Sequence, residues 1–75
     1  MIISQAPIGA EVRVIEINTD EKTRNRLQNI GIIAGCDVVL LQNNFGDVIV
    51  KVKDCRIALN KGVAKYVTVE EKYEK

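Results

Sequence analysis

The stretch Asp20 to Gly35, DEKTRNRLQNIGIIAG, decides how the rest of the chain must fold. Asp20 is placed to accept from free backbone N–H groups of a first helical turn. The EKTRNRLQN that follows has good helix formers and no Pro or Gly, so a short helix starts near Asp20. Leu27 and Ile30 lie on one face with Thr23 a turn earlier, while Lys22, Arg24, Asn25 and Gln28 fall on the sides and back. With Gly31 as the left-handed residue past the helix end, Leu27 and Ile32 become the apolar pair that accompanies a Schellman stop. Gly35 in Ile33-Ala34-Gly35-Cys36 then supplies the positive φ of a type II turn that launches an apolar run from Val38 to Leu41. At about 15 Å such a helix does not persist alone, so it must dock on a sheet.

The remaining segments supply that sheet. Ile2 to Ile8, broken by Pro7, reads as an edge segment or a wrap, and Gly9-Ala10 turns out of it. EVRVIEI (11–17) alternates and then loses phase, which predicts a bulge or bend near Ile15. DVVLLQ (37–42) and DVIVKVK (47–53) read as antiparallel neighbours joined by the loop Asn43 to Gly46, with Gln42 opposite Asp47 and Cys36 opposite Lys53. Asp54-Cys55 reads as a tighter turn into a strand Arg56 to Leu59. Asn60 caps one helical turn that tucks Ala64 inward, and YVTVE (66–70) closes on the first strand. The last residues, Glu71 to Lys75, read as a frayed charged end. The fold class is mainly β: a small, partly open SH3-like barrel of about five antiparallel strands, with a helix after the first strand and a helical turn before the last. An OB-like barrel normally needs longer strands.

Composition narrows the function. Seventy-five residues allow one domain, expected over 1–75, that buries only about 60 to 65% of its unfolded surface. A 47% hydrophobic content argues against disorder. Eleven basic against ten acidic residues give a net charge of +1, which offers no reason to expect nucleic acid or an acidic membrane as partner. No signal-peptide pattern and no run near the ~18 apolar residues of a membrane span is present, so a cytosolic location with reduced cysteines is expected. The absence of His removes the commonest general acid-base and metal ligand. Without Trp, and with only Phe45, Tyr66 and Tyr73, the chain lacks the rings of a polyproline groove.

The order of pieces resembles a known family. Arg26 to Val38 is similar to the signature of the ferrous iron transport protein A (FeoA) family: an arginine-leucine pair, a hydrophobic-glycine-hydrophobic step, a glycine turn and a valine. The resemblance continues through Phe45-Gly46-Asp47-Val48, Ile57-Ala58-Leu59 and Ala64 to Val69, so it covers Gly9 to Val69. Ala34 and Val48 depart from it, standing where proline is common. It implies an SH3-like barrel with no catalytic residues. It also implies a cytosolic accessory protein of bacterial ferrous iron uptake that associates with the membrane transporter (FeoB), whose cytosolic region carries a GTPase domain. The same domain type ends iron-dependent repressors and is described as binding transition metals.

Candidate sites follow from both readings. Cys36, Asp37, Asp54 and Cys55 fall near one end of the central hairpin and are the candidate ligands for a transition metal, ferrous iron or zinc, although no cofactor is required. Their bland reading is a small buried thiol and turn-capping carboxylates. Lys22, Arg24 and Arg26 on the helix form a candidate patch for an acidic partner, against the alternative of a solvated face with a Glu21–Arg24 pair. Phe45 at the hairpin tip is the other partner candidate, against a ring folded onto the barrel rim. The functional expectation is an adaptor without enzymatic activity that binds the transporter's cytosolic part. The alternatives are a metal-responsive domain and a small RNA-binding barrel, and self-association through an open sheet edge is a further possibility.

Overall fold

A computed structural model describes residues 1–72; of the end expected to fray over Glu71 to Lys75, Glu71 instead pairs with Val12 and Lys72 donates to the Glu11 carbonyl, while Tyr73 and the last part of a 1–75 domain lie outside the described residues. Five strands, β1 (Glu11–Ile17), β2 (Asp37–Asn44), β3 (Asp47–Val52), β4 (Cys55–Leu59) and β5 (Val67–Glu71), form one antiparallel sheet in the order β4-β3-β2-β1-β5. Helix α1 (Glu21–Asn29) lies between β1 and β2, and the single turn α2 (Lys61–Ala64) lies between β4 and β5. The mainly β architecture with these two helical insertions is the expected one. Alternation puts Val12, Val14, Val38, Leu40, Val48, Val50, Val67 and Val69 on one face, where they are fully buried together with Ile3 and Ile32.

The α1 termini behave as their residues dictate. Asp20 accepts from the Thr23 backbone N–H at 3.1 Å. At the other end the Ile32 N–H donates to the Leu27 carbonyl at 2.9 Å and the Gly31 N–H donates to the Gln28 carbonyl at 3.1 Å, with Gly31 at φ +98°. That pair of bonds is a Schellman motif, and it carries Leu27 and Ile32 into the same buried cluster. Ile30 does not join them. As the C-cap it has left the helical path (φ −100°, ψ 7°), and it is 45% exposed, so the helix presents one apolar anchor to the sheet rather than two.

Several expectations are corrected. The central hairpin is tighter than the sequence suggests: Asn43 and Asn44 belong to β2, Asn44 faces Asp47, and the loop is Phe45-Gly46 alone, both with positive φ as a type I′ turn requires. Beyond a bulge at Leu41, Leu40 faces Val50 and Val39 faces Lys51. The Gln42–Asp47 register would have set Leu40 beside the outward Ile49. The bulge instead returns Val38 and Leu40 to the face shared by Val48, Val50 and Val52. The β3–β4 turn is Lys53-Asp54, with Lys53 at φ +56°, so Cys55 opens β4 instead of lying in the turn. The bulge expected near Ile15 is present, between Val14 and Glu16 in the β1–β5 ladder.

The N-terminal lead-in is a wrap. Ile3–Gln5 forms one 3-10 turn that buries Ile3, Ile2 bridges Thr68, and the Met1 carbonyl accepts from the Val69 N–H at 2.7 Å. The free side of β5 is thereby covered.

Ala at position 31 meets only an ordinary contact, 3.6 Å to Val52 Cγ1, yet must adopt the same positive φ. Gly31→Ala is therefore expected to lower unfolding stability by about 1 kcal/mol in urea titration. Leu27→Ala removes the sole buried anchor of α1 and is expected to lower it by about 2–4 kcal/mol with the urea dependence retained.

Candidate functional site

The sheet's outer face and its tips carry the candidate surfaces. Phe45 is fully exposed, at 100%, rather than folded onto the rim. A type I′ turn aims the ring away from the sheet, and the hairpin is held rigid from behind. The Asn43 side chain accepts from the Gly46 N–H at 3.0 Å and donates to the Ser4 carbonyl at 2.6 Å, while Asp47 accepts from the Lys61 N–H at 2.7 Å. A bulky residue at φ +56° carries a local strain that no packing of its ring offsets. On α1, Lys22 and Arg26 are exposed one turn apart and Arg24 is half-buried. Among the described residues the ion pairs are Arg13–Asp37, Lys72–Asp37 and Lys72–Glu11, so the Glu21–Arg24 pair weighed as the alternative does not form.

The four candidate metal ligands are not gathered into one set. Cys36 is partly buried against the core, Cys55 is exposed at the start of β4, and Asp54 is exposed in the turn before it. Asp37 is committed elsewhere: its carboxylate accepts from Lys72 Nζ at 2.9 Å and from Arg13 Nε at 3.2 Å. Among the described residues no three His, Cys, Asp or Glu side chains stand where they would hold an ion together.

Sequence reading missed the Asp37 cluster because its members are distant in the chain. The register Arg13↔Asp37 and the Lys72 N–H donating to the Glu11 carbonyl bring them together on the outer face where β1 meets β2 and the end of β5. The hydrogen bond from Lys72, then that from Arg13, holds the Asp37 carboxyl below the usual carboxylate range, and the bond to Asp37 raises Lys72.

The geometry defines a small SH3-like β domain that exposes a hairpin tip, a basic helix and an open sheet edge. The comparisons agree on the fold. The family model for the FeoA domain matches residues 1–71, and the chain belongs to that family. The crystal structure of an iron uptake regulatory protein (FeoA) superposes with a TM-score of 0.86 at 26% identity, covering 96% of this chain and 97% of that one. The zinc complex of FeoA from Stenotrophomonas maltophilia, described as a unique procaryotic SH3 domain protein, gives 0.75 at 25% identity over 93% of this chain and 89% of that one. Iron(II) transport protein A from Clostridium thermocellum gives 0.85 at 20% identity, covering 95% of this chain but only 45% of that one, a likeness of fold. The search of curated proteins gives no match.

The Asp37 cluster sets a pH dependence. A lowered carboxylate contributes stability that is present above its unfolded pKa and lost as pH falls through the folded one. The raised Lys72 contributes below its unfolded pKa and is lost as pH rises through the folded one. The stability gap between wild type and Asp37→Asn is therefore expected to hold near neutrality, to close as pH falls below about 4, and only to narrow as pH rises above about 10.5, where Lys72 loses its proton while Arg13 keeps its charge, read by urea titration across pH.

Proposed function

We propose that this chain is an accessory protein of ferrous iron uptake that performs no chemistry and acts by binding the cytosolic region of the membrane ferrous iron transporter (FeoB). The observation that carries the reading is the FeoA-domain match over residues 1–71. It is joined by neighbours described as Iron(II) transport protein A and as a candidate bacterial ferrous iron transport activating factor. The physical features support it. Phe45 is a rigidly mounted, fully exposed aromatic, the kind of side chain that dominates protein interfaces, and Lys22 with Arg26 supplies a charged rim for an acidic partner. No helix of the described residues is long and apolar enough to cross a membrane.

The second reading, a metal-responsive domain, draws on the zinc complex of the Stenotrophomonas protein. Cys36 and Cys55 are its remaining soft ligands here, and they sit at different depths in the fold. A zinc titration followed on wild type and on the Cys36→Ser, Cys55→Ser pair decides it: loss of binding in the pair supports the metal reading, and equal titrations contradict it.

Calorimetric titration of the transporter's isolated cytosolic region with the full chain tests the first reading. Saturable binding is expected, with Phe45→Ala weakening it by about tenfold and Arg24→Glu by less. No heat of binding from a folded protein at the highest attainable concentration contradicts it.

A further inference from the structure

The sheet treats its two edges differently. On β5 the Met1 carbonyl accepts from the Val69 N–H, the Met1 ammonium donates to the Val69 carbonyl at 3.0 Å, and Ile2 bridges Thr68. On β4 nothing equivalent is present: among the described residues, Cys55–Leu59 make backbone hydrogen bonds only with β3. An uncovered strand edge is a template for another strand, and proteins normally blunt it with a bulge or a covering segment. The β3–β4 ladder runs from Val48↔Leu59 to Val52↔Cys55 without a bulge.

The outer face beside that edge has a defined chemistry. Leu41, Ile49 and Ala58 line an open groove of about 420 Å³ with Gln42 and the exposed Arg56. Lys51 faces Arg56 directly across β3 and β4, and among the described residues neither has an acidic partner. Like charges opposed across a ladder are unfavourable, and a carboxylate laid between them relieves the repulsion.

The geometry points to β4 as a strand-addition site for an extended segment of a partner protein, with an acidic side chain against Arg56, which Lys51 backs on β3, and an apolar one against Ala58 at the side of the groove. Backbone bonds to Cys55–Leu59 give affinity, and the outward row gives sequence preference at alternate positions. This rests on the partner-binding function proposed above and names the part of the chain that receives the partner.

The test uses the isotope-labelled full chain and short synthetic peptides. A peptide alternating glutamate and valine is expected to shift and protect the amides of Cys55–Leu59 and to bind about tenfold tighter than one alternating lysine and valine. The double variant Lys51→Glu, Arg56→Glu, folded by its own spectrum, reverses that order, and the glutamate peptide N-methylated at every residue does not bind. Shifts away from β3 and β4, equal affinity for both peptides, or no shift at saturating peptide overturns the proposal. The transporter's cytosolic region separates the two ideas. If it binds wild type and the double variant equally, β4 is not the receiving edge, although the adaptor function stands. If it binds neither while the glutamate peptide binds β4, the edge stands and the transporter is the wrong partner.

Discussion

The fold depends on the pair of hydrogen bonds that Gly31 allows. Because that residue sits at φ +98°, the Ile32 N–H can return to the Leu27 carbonyl, and the chain reverses within one residue from helix to the approach to β2. Leu27 and Ile32 are thereby delivered to the valine-rich face of the sheet from opposite sides of the turn. A helix of nine residues has no stability of its own, and it carries a single buried side chain, so its position is set almost entirely by this closure and by the Asp20 cap.

What the closure fixes, the surface uses. With one sheet face occupied by core valines and α1 held at both ends, the outer face, the hairpin tip and the free side of β4 are left exposed. Several polar groups are engaged structurally: Asp37 in the cluster with Arg13 and Lys72, Asp47 and Asn60 at the start of α2, Asn43 beneath the hairpin. These hydrogen-bonding groups hold the loops that, on the function proposed above, present side chains for recognition.

Much of the architecture was legible because local signals agreed with the global answer. Asp20, Gly31 and Gly35 each do what their residue type does in isolation, and the phase loss at Ile15 is a bulge. Where reading failed, a distant contact decided. Asn43 and Asn44 look like loop residues, but the Asn43 amide reaches Ser4 and Gly46, which extends β2 and leaves Phe45 in a backbone conformation that asparagine or glycine would normally take, as Lys53 is in the β3–β4 turn. The placement of the site residues was hardest, since Ile30 and Arg24 differ in burial from what helical periodicity suggests and Asp37 finds Lys72 only through the register of three strands. The open edge at β4 is a property of topology and has no local signal.

Native-state amide exchange at Ile32 addresses the central claim most directly. If the glycine closure organises the domain, the Ile32 amide exchanges only through global unfolding, with the same free energy of opening as the amide of Val50 in the central sheet. Fast exchange at Ile32 beside full protection at Val50 would show that the helix end opens on its own, and the closure would then be a consequence of the sheet and not its organiser.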